Sequence, residues 1–143
     1  MTQAQKIRIM VAKVGCDIHE RGALTMINVF RDEGMEVIYT GRYQTEAAVA
    51  NAAVNEDVDI IGVSDLSGNL PGICRKILKE LNRLDSDIPL FCGGLMTERD
   101  RELLAEMGVK ATFPTGSSIE ECVQTVYRLT SERAGDNESD SDE

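Results

Sequence analysis

The sequence predicts an α/β protein, a parallel five-stranded sheet covered by helices on both faces. Three observations lead there. Five short apolar runs, rich in Ile and Val, are spaced through the 143 residues. Each is followed by a stretch whose apolar residues recur at helical rather than alternating spacing. Glycine, threonine or proline marks most of the boundaries between them. Near-continuous apolar strands interleaved with amphipathic helices imply strands buried on both sides, the condition of an all-parallel sheet.

The elements follow in order. Ile7 to Val14 is the first strand. Ala23 to Glu33 is a helix, with Leu24, Ile27, Val29 and Phe30 at helical spacing and Gly34 where a C-terminal cap belongs. Glu36 to Thr40 is the second strand, and Thr45 caps an alanine-rich helix running to Asn55. Val58 to Val63 is the third strand and strongly apolar. Gly72 to Leu84 is a helix with Ile73, Ile77, Leu78 and Leu81 on one stripe. Ile88 to Cys92 is the fourth strand, Thr97 to Met107 a helix stopped by Gly108, Lys110 to Phe113 the fifth strand, and Ser118 to Ser131 the last helix. Right-handed crossovers then give a flavodoxin-like doubly wound sheet of order 2-1-3-4-5. Such a sheet binds ligands outside the carboxyl ends of its strands, at the switch point between strands 1 and 3.

Length fits one domain, read as residues 1–133, followed by an acidic tail at 134–143 that is expected to be disordered. The tail holds five acids and no base, half of the net charge of -10. That charge argues against nucleic acid, which needs a basic face. No run of about 18 apolar residues could span a membrane. The opening Met-Thr-Gln-Ala-Gln-Lys lacks the layout of a signal peptide, so a cytoplasmic protein is expected. Cys16, Cys74, Cys92 and Cys122 are far apart and contain no C-x-x-C pair. They read as free thiols in or near the core rather than a zinc knot or disulfide framework.

All the unusual segments fall on the carboxyl rim. The only histidine, His19, follows strand 1, with Asp17 two residues before it, Gly22 three after it and Lys13 six before it. Ser64-Asp65-Leu66 ends strand 3, Gly93-Gly94 ends strand 4, and Pro114-Thr-Gly116-Ser117 ends strand 5. There are 41 residues between Gly22 and Ser64, and 26 between Leu66 and Gly93. Singly, each has a plain structural reading. Asp17 could cap a helix, His19 could be a first-turn residue, and Gly93-Gly94 could be a turn. Asp65 and Glu20 read as acids that solvate loops. A neutral imidazole is nonetheless a good transition-metal ligand, and a carboxylate on its other nitrogen fixes the tautomer and raises its basicity.

Together the segments resemble the Asp-x-His-x-x-Gly, Ser-x-Leu and Gly-Gly signature of cobalamin (vitamin B12) binding domains. The resemblance runs from Lys6 to Arg133 and is strongest to the C-terminal part of methylmalonyl-CoA mutase, notably over Tyr39 to Thr45 and Glu56 to Ser64. It implies that His19 ligates cobalt from below and that Asp17 and Lys13 stand behind it as a relay. Arg21 and Gly22 would join the cofactor-binding set. The cofactor's nucleotide tail would enter a cleft, with Ser64 bonded to the benzimidazole, Leu66 beside it, and Gly93 and Gly94 clearing its path. Gly116 and Ser117 resemble the Gly-Thr of a family Pro-Gly-Thr segment, but Thr115 intervenes here.

The resemblance further implies adenosylcobalamin, radical interconversion of (R)-methylmalonyl-CoA and succinyl-CoA, and an isomerase subunit that is inactive alone. No part of this chain could form a roughly 250-residue barrel for the CoA ester. The expected partner is therefore a separate large mutase subunit. Alternatives are the small subunit of glutamate mutase, a corrinoid carrier protein, and a signalling receiver domain. A receiver needs a phosphorylatable Asp ending strand 3, where the sequence places Ser64.

Overall fold

The computed structural model describes residues 6–15, 21–42 and 44–141, with side chains as far as Gly135. Strands and helices alternate throughout: β1 Arg8–Ala12, α1 Arg21–Asp32, β2 Glu36–Tyr39, α2 Glu46–Asn55, β3 Ile60–Asp65, α3 Leu70–Arg83, β4 Leu90–Gly94, α4 Glu98–Met107, β5 Ala111–Pro114 and α5 Ile119–Ser141. The five strands are parallel and ordered β2-β1-β3-β4-β5, as the alternation predicts.

Local chemistry explains most boundaries. Thr45 accepts a hydrogen bond from the Ala48 amide and caps α2. Thr97 and Asp100 form a reciprocal capping box at the start of α4. Helix α1 ends where Gly34 turns left-handed (φ +90°) and the Met35 amide bonds back to the Phe30 carbonyl. Helix α2 ends in the same way, with Asp57 at φ +53° and the Val58 amide bonded to the Ala53 carbonyl. That cap accounts for one difference from the sequence reading. Val58 is fully buried as the apolar residue closing the cap, and β3 begins only at Ile60. At its other end β3 runs on through Ser64 and Asp65, which pair with Gly93 and Gly94.

Alternation along each strand sends neighbours to opposite faces. Met10, Ala12, Ile61, Leu90 and Cys92 face α2, α3 and α4. Ile9, Val11, Ile60 and Phe91 face α1 and α5. Arginines brace the amino-terminal edge of the sheet. Arg133 of α5 contacts the Asp87 carboxylate at 2.9 Å, and Arg8 pairs with Glu36 and Glu56. The Tyr127 hydroxyl donates to the Glu33 carboxylate at 3.0 Å, joining α5 to the end of α1.

Helix α5 continues past Ser131 to Ser141 and takes in most of the acidic segment. The last proline is Pro114, so the sequence holds no hard stop beyond it, and Gly135 only weakens the helix. Among the described residues, no helix is long and apolar enough to cross a membrane.

Candidate functional site

A cleft of about 520 Å³ opens at the carboxyl ends of β1, β3, β4 and β5, between the sheet and helices α1 and α5. The strands make room for it. On this face β3 presents Gly62 and Ser64, and β4 presents Phe91 and Gly93. The Phe91 ring occupies the hollow over Gly62, where an added Cβ would stand 2.4 Å from the ring. Phe91 also meets Phe30 and Phe113 edge to face, with centroids 6.5 and 6.0 Å apart. These rings form the base of the cleft.

The turn after β3 is held from behind. Asp65 is fully buried. Its carboxylate accepts from the Ser67 hydroxyl at 2.7 Å and the Asn69 amide at 3.0 Å. This corrects the sequence reading, in which Asp65 solvates a loop; it fastens the turn that carries Ser64 and Leu66 and satisfies an amide at the entrance to α3. The Asp65 carbonyl accepts from the Leu95 amide. Gly94, at φ +133°, passes so close that a Cβ there would lie 1.9 Å from that oxygen. Only glycine fits. A Cβ on Gly93 would come within 3.3 Å of the Phe113 carbonyl.

Lys13 is fully buried, and its ammonium donates to the Ser64 carbonyl at 3.3 Å. The exit of β1 is thereby tied to the β3 turn. The Thr40 hydroxyl accepts from the Lys13 amide, and the Gly15 amide bonds to the Gln44 carbonyl, so the segment after β2 holds the chain as far as Gly15. Asp17, His19, Cys16 and Glu20 lie outside the described residues, as does Tyr43. Arg21 and Gly22 open α1 at the mouth of the cleft.

Ser64, Leu66, Gly93 and Gly94 line the cleft, and so do Gly116 and Ser117. The inserted Thr115 has a structural result. Pro114 to Ser117 forms a turn with Gly116 at φ +93°, closed by the Ser117 amide and hydroxyl on the Pro114 carbonyl at 2.9 and 2.6 Å. Sequence reasoning missed Val11, Gly62, Phe91 and Phe113. Their signal was the period-2 alternation of β1, β3, β4 and β5, which puts them on the same face as Ser64 and Gly93.

Cys74, Cys92 and Cys122 are buried free thiols, as the sequence reading has them. Cys122 borders the cleft, and burial pushes its pKa up to about 11. The Cys92 hydrogen bond, together with burial, pushes the Cys74 thiol far above its ordinary range. Among the described residues, no group of His, Cys, Asp and Glu could hold a metal ion.

Comparison with known proteins shows the family of the chain. The profile of the B12 binding domain matches residues 7–123. The chain belongs to the B12-binding domain family. It is 36% identical to the 2-hydroxyisobutanoyl-CoA mutase small subunit of Aquincola tertiaricarbonis, over 89% of this chain and 94% of that one. It is 37% identical to the pivalyl-CoA mutase small subunit of Xanthobacter autotrophicus, over 86% and 83%. Human mitochondrial methylmalonyl-CoA mutase is 37% identical over 82% of this chain, which spans only 16% of that enzyme. A solved cobalamin-binding protein from Desulfitobacterium hafniense shares the fold, with a TM-score of 0.75 at 16% identity, over 87% of this chain and 60% of that one.

Solved receiver domains share the fold too. In this B12-binding domain β3 does end in an aspartate, Asp65 rather than the expected Ser64, at the place where a receiver carries its phosphoacceptor. Asp65 is buried and its carboxylate is engaged by Ser67 and Asn69, so it is not presented for phosphorylation. The cleft itself fits a cobalamin nucleotide tail. It is apolar at its base, and its lining includes Gly62, Gly93 and Gly94, which bring no side chains of their own into it.

Proposed function

We propose that this chain is the cobalamin-binding small subunit of an adenosylcobalamin-dependent acyl-CoA mutase. On this reading His19 would hold the cofactor's cobalt, and a separate large subunit would hold the CoA ester. The observation that carries this reading is convergence. The residues of the Ser-x-Leu and Gly-Gly motifs, with Gly22 and Gly116, meet at one cleft at the switch point between β1 and β3.

Bound adenosylcobalamin supplies the radical chemistry. The chain's own residues hold and orient it. Ser64 offers a hydroxyl at the wall of the cleft, Gly93 leaves room for the nucleotide tail, Gly94 lets β4 pass against the Asp65 carbonyl, and Asp65 keeps the Ser64 turn in place. Lys13 links that turn to the strand leading to Asp17 and His19. Asp17, two residues before it in sequence, would orient the His19 ring through its second nitrogen. Leu24, Leu95 and Ile119 are the exposed large apolar residues among those described, and all three stand on the carboxyl rim. That rim is where a partner subunit would close over the cofactor.

Methylmalonyl-CoA is the substrate that the sequence resemblance implies. The matches to small subunits of two other mutases favour a second reading, a branched acyl-CoA of the 2-hydroxyisobutanoyl or pivalyl type. Reconstitution with the large subunit and adenosylcobalamin separates them by which CoA ester is isomerised. Turnover of none, with turnover of glutamate by a glutamate mutase large subunit, overturns both. For the ligand, the chain with cobalamin should give an absorption spectrum of protein-nitrogen ligation with the cofactor's own base detached. His19→Ala should abolish it; a variant that keeps it would refute the assignment.

A further inference from the structure

Helix α3 is an exception in an acidic chain. The net charge is -10, yet Leu70–Arg83 holds four bases, Arg75, Lys76, Lys79 and Arg83, against one acid, Glu80. At about 100° of turn per residue, those four positions fall within an arc of about 100°. The arc is turned away from the core, since Ile73, Cys74, Ile77 and Leu81 are buried and all four bases are exposed. Arg83 pairs with Glu80 at 2.8 Å. Among the described residues, Arg75, Lys76 and Lys79 make no ion pair, whereas Arg8, Arg99, Arg101, Arg128 and Arg133 each make at least one. Like charges three and four residues apart on a helix repel, so an anionic partner would relieve this face.

The opposite charge is concentrated after α5 has passed the sheet. Residues 134–143 hold Asp136, Glu138, Asp140, Asp142 and Glu143 and no base. By Arg133 the helix has run the height of the sheet, because that guanidinium donates to the Val58 and Asp59 carbonyls, just before β3 begins. The helix nevertheless continues to Ser141, about 12 Å further. Those turns are poorly supported by themselves. Acids stand at the negative end of the helix dipole, no base occupies the last turn, and Asp136 and Asp140 are like charges four apart.

We propose that the basic face of α3 is a docking surface for the acidic end of α5 from a second copy of this chain. The run from Arg75 to Arg83 is about 12 Å long, the length of the helical end it would receive. Within one chain an intact α5 does not reach it, because α3 packs on one face of the sheet and α5 on the other. A twofold pair lets each chain give its helix end and receive the other's. Each end then gains cations at its carboxyl terminus, which suits both its acids and its dipole.

Sedimentation of the full chain tests the pairing. At about 0.1 M salt the Debye length is about 10 Å, so close ion pairs survive while the longer-range repulsion between acidic copies is damped. Over a concentration series the mass should rise from 15.7 kDa toward twice that value. Raising the salt to about 1 M should weaken association by about tenfold or more. Removing residues 134–143 should leave single chains, and so should Lys76→Glu with Lys79→Glu. Arg31→Glu with Lys110→Glu changes the net charge equally at exposed positions on other parts of the chain and should keep the pair. Asp136→Lys, Glu138→Lys and Asp140→Lys, added to the two α3 changes, should restore it. Single chains at every concentration, or a pair indifferent to loss of residues 134–143, would overturn the proposal. So would α3 changes that abolish binding of a large mutase subunit while the free chain stays single, because the face would then belong to that subunit.

Discussion

The two faces of the sheet are built from the same strands and closed in opposite ways. On one, α2, α3 and α4 bury nineteen described residues in a continuous core that includes Ile61, Ile77, Leu81 and Leu104. On the other, α1 and α5 bury twelve. There Tyr127 and Glu33 join the helices near the amino-terminal edge, while toward the carboxyl edge they frame the cleft. The first face carries the stability and the second spends apolar surface on a ligand. The Gly62 and Phe91 pair shows the trade, because a larger residue at 62 would pack the second face at the expense of the cleft.

The contrast can be broken by matched deletions. Ile77→Ala on the closed face should cost about 2–5 kcal/mol in urea unfolding. Phe113→Ala at the cleft should cost about half as much or less, since its ring already borders open space. Equal losses would mean that the cleft face is as tightly packed as the other. Gly62→Ala sharpens the point, because its Cβ must displace the Phe91 ring into the cleft. Cobalamin affinity should fall about tenfold while unfolding shifts by about 1 kcal/mol; unchanged affinity would show that the ligand does not reach this floor.

A smaller effect is read through pH, and it acts on both faces, since the thiols of Cys122 and Cys74 are both raised above their ordinary range. Burial holds the Cys122 thiol protonated up to about 11, whereas in the unfolded chain it ionises at its ordinary, lower value. The folded state therefore keeps a proton that the unfolded state has lost. This contribution to stability is complete below the ordinary thiol pKa and disappears as pH rises toward 11. Cys122→Ser should flatten that alkaline slope of Tm, and an unaltered slope would argue against it. The smallest change is expected at the edge remote from the cleft. Arg133→Ala should cost under about 1 kcal/mol, less at high salt, because its Asp87 partner is exposed. Removing residues 134–143 should leave cobalamin affinity unchanged, and a loss would give the acidic segment a part in binding.

Much of this was legible in the chain. Runs such as Ile9 to Val11 and Ile60 to Val63 are apolar at every position, which suits strands covered on both sides. Thr45, Thr97 and Gly108 act as the caps that their types suggest. The Ser-x-Leu and Gly-Gly spacing pointed to a cofactor before any coordinates. Boundaries slipped where a cap competed with a strand, as at Val58, whose burial looks the same from either role. Asp65 was misread because a buried carboxylate cannot be told from a solvating one until its donors, Ser67 and the Asn69 amide, are in place.

The sequence by itself determined the alternation of elements, the strand order that short parallel crossovers allow, and the gathering of the motifs on the carboxyl rim. These follow from periodicity, capping and connectivity, which are local or topological. Only the tertiary structure decided which face stays open, that Phe30, Phe91 and Phe113 floor the cleft, and that Gly94 must pass beneath the Asp65 carbonyl. Those depend on the distances between elements far apart in the chain, and alternation, which assigns residues to faces, says nothing about how closely the opposing helices pack.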